Sequence, residues 1–457
     1  MNDRKRNDMF PRNYNSYYNI MPDGTVKQIN PFAGTEVWAV PGRGNKPITN
    51  DIPAVSKPLQ RSEREDYCSF CATRYYETPP EKARLVKVND HYETVYHLEP
   101  DKYFDTTAEF RRTGNLFEIV TIDYWKKNYG YRLNPQLMRW RDMYFENPKG
   151  AEHINNIIQY KLEQAGKTPE EIRRKSAFDK LNMMDAFFGG CHELVIARTH
   201  YAHDAHYETQ LRSSGDLTPE EHFQYFKFTI AAMKDMLEQN RYIRYVSIFQ
   251  NWLRPAGASF DHLHKQICAL DEWGASITEQ LNMLRHDANV FNELGANLAA
   301  QFNLVFAENE HAIAYVGIGH RYPTIEIYSK SYHSRPYEQS DEEIRGFSNI
   351  VHACHAAMGS QLSCNEEWYY TPIDAVYKMP WHVLLKWRVN VPAGFEGGTS
   401  IYINPITPVE LRDKLVPRLY QLRDMGKIEP IVLAEECKLQ PNPLKYYLNF
   451  DFLTPQS

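Results

Sequence analysis

The stretch SFDHLHKQICAL, residues 259–270, sets His262, His264, Gln266 and Cys268 at every second position, alternating with Leu263, Lys265 and Ile267. On a β-strand successive side chains point to opposite faces, so these polar groups share one face, with i and i+2 roughly 6.5 Å apart. On a helix, positions two apart diverge and the pattern would serve nothing. Arg254-Pro255-Ala256-Gly257 just upstream argues against a helix running through. The stretch therefore reads as a loop entering a strand with a chemically equipped face. An imidazole on such a face can ligate a metal, act as a base or attack as a nucleophile.

Working outward, one supersecondary pattern occurs twice. In the first copy the strand CHELVIART, residues 191–199, precedes a polar loop and a helix that begins after Leu217. Thr218 caps that helix, with Pro219 at its first position and Glu221 closing a capping box. Phe223, Phe226, Ile230, Met233 and Leu237 form its apolar stripe. YVSIF (245–249) and the His-bearing strand follow. The second copy runs through PTIEIYS (323–329) and a helix capped by Ser340 and Glu343 with Ile344, Phe347 and Val351 as its stripe. EEWYYTPI (366–373) and WHVLLKWRVN (381–390) complete it. In the last strand Trp381, Val383, Leu385, Trp387 and Val389 share an apolar face, with His382, Leu384, Lys386 and Arg388 opposite. Matching the copies by their first histidine aligns His262 with His382, His264 with Leu384 and Gln266 with Lys386. One active and one degenerate half are expected. The Lys-, Glu- and Asn-rich segment 134–182 predicts a helical insertion. Residues 1–30 and 421–457 read as extensions around modules at 31–274 and 275–420.

The chain has 457 residues, 42% hydrophobic and 24% charged, with a net charge of -6, an ordinary globular composition. Without a Lys/Arg run there is no electrostatic footprint for nucleic acid. No apolar run reaches the length of a membrane span, the opening MNDRKRNDMF lacks a signal-peptide core, and seven irregularly spaced cysteines do not form a disulfide framework. A soluble, cytoplasmic protein is expected. Within YCSFCATRYYETPPE, Cys68-x-x-Cys71 can take one edge of a zinc tetrahedron. With no second C-x-x-C, histidines would have to complete it, and THYAHDAH offers His200, His203 and His206 beside His262. His352-x-x-His355 has helical spacing but no carboxylate partner in sequence and reads as structural.

Taken together, these motifs resemble the galactose-1-phosphate uridylyltransferase family of the histidine-triad superfamily, from about residue 30 to about residue 415. NPFAGTEVWAVPGRGNKP is similar to its opening strand and arginine loop, CSFCATRYYETPPE to its zinc segment and CHELVIARTH to its H-E-V-I-V-E strand. FQNWLRPAGASFDHLHKQI resembles its active-site run, and YPTIEIYSKSYH with AGFEGGTSIYINPITPVEL resembles the C-terminal half. The resemblance implies an α+β fold of two fused histidine-triad-like modules, whose antiparallel sheets and packed helices form a half-barrel, in a homodimer. It implies that His264 is the nucleophile, attacking the α-phosphorus of a nucleotide sugar or dinucleotide, and that the nucleotidyl group then passes to a phosphate or sugar 1-phosphate. Gln266 and Ser259 would assist, and Asn251, Arg43 and Lys46 would hold phosphate oxygens, with Lys46 replacing the family's second arginine. A structural Zn2+ would be bound by Cys68, Cys71, His262 and a fourth ligand, His203 as first choice and His200 as second. Glu396, in a loop lent to the neighbouring subunit, would read sugar hydroxyls, with Tyr402, Lys386 and Arg388 at the acceptor.

The pattern also departs from the family. Its C-terminal H-x-H appears as Pro380-Trp381-His382, leaving Glu279, His333 and His382 as a reduced second metal set. The base-contacting turn is expected at Ile122–Trp125, with Asp123 on the nucleotide. Uracil, adenine and guanine all stay open. Two other functions compete: a nucleotide hydrolase, in which water intercepts the adduct, and a non-enzymatic nucleotide sensor. Gln266 stands where the hydrolase relatives carry a third histidine, and retention of His264, Ser259 and Asn251 speaks against the sensor.

Overall fold

In a computed structural model, residues 16–43 and 56–448 are described. The chain folds as mixed α+β around a twelve-stranded antiparallel sheet. Eight of its strands are labelled here: β1 (Phe110–Gly114), β2 (His192–Ala197), β3 (Tyr245–Trp252), β4 (His264–Leu270), β5 (Ala312–Val316), β6 (Thr324–Ser329), β7 (Cys364–Tyr369) and β8 (His382–Trp387). They lie side by side in the order β5-β6-β8-β7-β3-β4-β2-β1. Glu81–Val88 and His91–Tyr96 extend one end, and Val305–Glu308 and Val432–Leu433 the other. A separate four-stranded sheet pairs Tyr18–Ile20, Val26–Ile29 and Glu36–Ala39 with Ile401–Asn404.

Strand pairing repeats across the β3–β7 junction. Phe249 opposite Gln266 becomes Glu367 opposite Leu384, and Ile196 opposite His264 becomes Tyr328 opposite His382. Farther out, Phe110 opposite Ala197 becomes Ala312 opposite Ser329. This register corrects the alignment expected from sequence. His382 is the counterpart of the nucleophile candidate His264, and Leu384 is the counterpart of Gln266. A two-residue slip keeps every side chain on its own face, so the alternating pattern could not resolve it; a one-residue slip would have been visible.

Helices α1 (Pro219–Gln239) and α2 (Asp341–Met358) cover one face of the sheet. Both start with the expected capping boxes, Thr218 with Glu221 and Ser340 with Glu343. Beneath them Phe347 stacks on Trp381 with centroids 3.9 Å apart, and Phe226 lies 4.6 Å from Trp368. Fully buried Lys265 pairs there with fully buried Glu366. His355 Nε2 lies 2.8 Å from Glu366 Oε2, and His352 Nε2 2.7 Å from the Leu217 carbonyl. The opposite face, bearing His264 and His382, is left for chemistry. Five helices between Ile122 and Gly189 pack near the β1 end of the sheet. No helix among the described residues is long and apolar enough to cross a membrane.

Candidate active site and metal centre

His264 opens β4 as a buried residue. Its Nδ1–H donates to the His262 carbonyl at 2.7 Å, which leaves the Nε2 lone pair unprotonated. Burial pulls the imidazole down to about 4, so the ring is neutral near pH 7. No described residue bonds its Nε2. A neutral, oriented imidazole with a free lone pair is the form a nucleophile needs.

Gln266, two residues on, has its amide orientation set by a chain of bonds. Phe117 N–H donates to Asn115 Oδ1 at 2.9 Å, which makes Asn115 Nδ2 the donor toward Gln266 Oε1 at 3.4 Å. Ile119 N–H donates to His192 Nδ1 at 2.9 Å, so His192 carries its proton on Nε2 and gives it to the same Gln266 oxygen at 3.1 Å. Burial pulls His192 down to about 4, in keeping with that single proton. With Oε1 used twice, the Gln266 amide N–H groups are the ones free to face a ligand. Asn115 and His192 were missed in the sequence. Asn115 follows β1 and His192 opens β2, and only strand pairing brings either to β4.

Asn251, at the end of β3, accepts from Asn365 Nδ2 at 2.8 Å, and Arg388 donates to Asn365 Oδ1 at 2.8 Å. Gly257 beside it takes φ +87°, which lets the loop turn back toward β4. Ser259 is exposed on that loop. Lys386 donates to Glu367 at 2.6 Å. Arg43 lies near Glu396, whose carboxyl is held below its usual range mainly by the Ala393 N–H and in lesser part by Arg43. The Arg321 guanidinium lies 4.7 Å over the Tyr402 ring. Among the described residues no hydrogen bond or ion pair joins Arg43, Glu396 or Tyr402 to His264 or Gln266. Lys46 lies outside the described residues. Asp123 sits on an exposed helix surface, paired with Lys127 at 3.0 Å rather than with the His264 group.

Cys68, Cys71, His200 and His262 converge, their ligand atoms all within 4.8 Å of one another. Zinc, at about 2.3 Å from sulfur and 2.0 Å from nitrogen, spaces tetrahedral ligands by about 3.3–3.8 Å. Here Cys68 Sγ lies 3.9 Å from Cys71 Sγ, 3.3 Å from His200 Nδ1 and 3.5 Å from His262 Nδ1. His262 gives its other N–H to the Ala197 carbonyl at 2.7 Å, the backing that fixes a ligand's tautomer. The donor set fits a closed tetrahedral ion. The fourth member of the cluster is His200, and His203 is not part of it. The turn from Ala202 to Ala205 carries His203 out to the surface, whereas His200 is buried against Tyr201 and His262.

This cluster bears on His264 through Phe70, between the two cysteines. The Phe70 ring stands 5.2 Å from the His264 ring, edge to face. Arg111, from β1, donates to the Phe70 carbonyl at 3.2 Å and holds the loop down. The second metal set does not assemble. Glu279 and His333 are exposed, His382 is buried among tyrosines, and no metal-capable grouping among the described residues contains them. Pro380 and Trp381 precede His382, so the strand supplies a single imidazole.

A family model described as a domain of unknown function, DUF4921, matches residues 21–446. An ADP-glucose phosphorylase of Arabidopsis thaliana is 24% identical over 188 residues, covering 39% of this chain and 53% of the relative. A galactose-1-phosphate uridylyltransferase of Thermotoga maritima is 27% identical over 209 residues, covering 39% and 62%. The chain thus spans between half and two thirds of the length of these curated relatives. Among solved structures, an Arabidopsis thaliana ADP-glucose phosphorylase with bound ADP-glucose superposes with a TM-score of 0.52 at 18% identity, over 86% of this chain and 98% of that one. A galt-like protein of the same plant gives 0.50 at 18% over the same shares. At such identity the structural likeness is one of fold. The chain belongs to the DUF4921 family, and parts of it are similar in sequence to an ADP-glucose phosphorylase and to a galactose-1-phosphate uridylyltransferase.

Proposed function

We propose that this protein is a nucleotidyltransferase that moves a nucleoside monophosphate from a nucleotide sugar to a phosphate-bearing acceptor through His264. The observation that carries the reading is the neutral His264 ring, pinned through Nδ1 with Nε2 free, beside a Gln266 amide turned outward. In the first step Nε2 attacks the α-phosphorus, a P–N bond forms, and the P–O bond to the sugar phosphate breaks with its electron pair leaving on that oxygen. The proton stays on Nδ1, and its hydrogen bond to the His262 carbonyl stabilises the charged ring. In the second step an acceptor phosphate oxygen attacks the same phosphorus and the P–N electrons return to Nε2.

Gln266 donates to a non-bridging oxygen as charge builds there, and Asn251 and Ser259 supply further donors, while Arg43 beside Glu396, with Lys46 three residues on in sequence, would serve a neighbouring subunit's phosphate. Because Gln266 is held as a donor and has no titratable proton, it cannot activate water as an imidazole could, which favours transfer over hydrolysis. Exposed Phe117 and Ile119, on the loop after Asn115, offer an apolar wall for the base. Cys68, Cys71, His200 and His262 would hold a zinc ion whose role is structural, since all four positions are filled by protein. Two fused histidine-triad-like modules account for the repeated strand pairing. Glu396 and Tyr402, set apart from His264, would serve a neighbouring subunit's site in a homodimer.

Intact-mass analysis after incubation with ADP-glucose or UDP-glucose tests the reading. The expected result is one added nucleoside monophosphate per chain, absent from His264→Ala and discharged by phosphate or a hexose 1-phosphate. Turnover by His264→Ala at the wild-type rate would overturn it.

A further inference from the structure

A cavity of about 320 Å³ opens at His382, on the sheet face that also bears His264. Three strand spacings of about 4.8 Å separate β4 from β8, so the two rings serve different places, which adjoin where the cavity's Asn365 bonds Asn251 at 2.8 Å. His382 repeats the geometry of its counterpart. Its Nδ1–H donates to the Pro380 carbonyl at 2.8 Å, and no described residue bonds its Nε2. The ring lies nearly parallel to Tyr328 at 4.5 Å and to Tyr369 at 5.1 Å. Leu384 stands where Gln266 stands in the first half, so the amide two residues after His264 has no counterpart after His382. The cavity is equipped to bind, not to transfer.

Its walls say what it binds. Arg321, Lys386 and Arg388 line it, against the carboxylates Glu326 and Glu367. Both carboxylates are engaged by the protein. Glu326 is bonded by His320 at 2.7 Å and Tyr328 at 3.0 Å, and Glu367 by Lys386 and Tyr369, each at 2.6 Å. Two buried polar atoms of lining residues have no partner among the described residues: Nε of Arg388, a donor, and Oε1 of Gln280, an acceptor on a residue only 8% exposed. A buried polar group without a partner is costly, so each marks a place for a ligand atom. Arg388 calls for an anionic oxygen and Gln280 for a hydroxyl or amine. Inorganic phosphate meets chiefly the first need, and a neutral sugar only the second. The volume lies at the low end of the range of roughly 300–1,000 Å³ usual for small-molecule sites.

We propose that the cavity bounded by His382, Gln280 and Arg388 is a second, non-catalytic binding site for a hydroxyl-bearing organic phosphate of sugar-phosphate size. It stands on this cavity alone and not on nucleotidyl transfer at His264.

Calorimetric titration of the full chain with glucose 1-phosphate, glucose and inorganic phosphate tests it, on wild type, Gln280→Leu and Ser276→Trp. Ser276 lies exposed on the cavity rim, and Trp there fills the entrance. Glucose 1-phosphate should bind at one cavity site per chain, at least tenfold tighter than glucose or phosphate alone. Both substitutions should weaken that event tenfold or more while leaving melting temperature and any His264 adduct at wild-type levels. Unchanged binding in both variants, or inorganic phosphate binding as tightly as glucose 1-phosphate, would overturn the proposal. Loss of the His264 adduct from wild type, with cavity binding intact, would instead remove the reading of the first site.

Discussion

His264 and His382 begin equivalent strands, hold Nδ1 on the carbonyl two residues back at 2.7 and 2.8 Å, and are both pulled by burial down to about 4. Their neighbours differ. Beside His264 stand an amide fixed as a donor and a metal-capable cluster whose Phe70 leans on the ring. Beside His382 stand Leu384 and two tyrosine faces. The shared backbone supplies the ring's orientation and protonation, while the residue two positions on and the element packed above decide whether the ring can do chemistry. Orientation is a property of the fold, and reactivity is a property of a few side chains laid on it.

The largest effect on this contrast is expected from the ring itself. His264→Ala should lower transfer by at least about 10⁴-fold, whereas His382→Ala should leave the rate within about tenfold, as measured by single-turnover release of sugar phosphate. Equal losses would mean that the two halves share the chemistry.

Next comes the cluster. Purified without chelator, the protein should hold about one zinc per chain, and Cys68→Ser should lose it together with about 4 kcal/mol or more of stability, read by metal analysis and urea unfolding. His203→Ala should change neither, while His200→Ala should behave like Cys68→Ser. A zinc-free native protein would break this prediction.

Gln266→Ala should cost about 10²–10³-fold in kcat, the usual penalty for one donor to a developing anion. Gln266→Glu should cost at least as much, since the carboxylate cannot donate. Asn115→Ala frees the amide to rotate and should cost about tenfold, from one lost hydrogen bond.

The last effect falls on acid stability. Burial pulls His153, His192, His352 and His382 each down to about 4, against about 6.5 when unfolded. The unfolded chain therefore takes up these protons first. The stability from keeping the rings neutral is complete above pH 6.5 and is lost progressively as pH falls toward 4. Each ring should contribute a slope of about 1.4 kcal/mol per pH unit in that window. Urea titrations at several pH values should show His382→Asn flattening the slope by that amount, and an unchanged slope would show that the ring is charged in the folded state.

Much of this architecture was legible in the sequence because it is local. The alternation from His264 to Cys268 is a strand, with His262 on the bend that enters it, and S/T-x-x-E before an apolar stripe marks a helix start. Cys68-x-x-Cys71 announces half of the metal-capable cluster. What was not legible depends on long-range pairing or on turn geometry. Asn115 and His192 carry no spacing signal; strand pairing alone brings them to Gln266. THYAHDAH offers three histidines within seven residues, and only the Ala202–Ala205 turn decides that His200 points inward. The alignment of the two copies slipped by two residues because strand periodicity is blind to even shifts.

The β3–β7 junction makes the repeat hard to take apart. Trp252 pairs with Cys364 and Phe249 with Glu367, so one ladder runs unbroken from one copy into the other. Lys265, between His264 and Gln266 in sequence, reaches the other copy's Glu366, with neither exposed to water. A gene cut between the copies would leave each fragment with a raw central edge, and one of them with an unneutralised buried ammonium. Such fragments should be recovered only when made together, so the two copies of the strand pattern stand or fall as one unit.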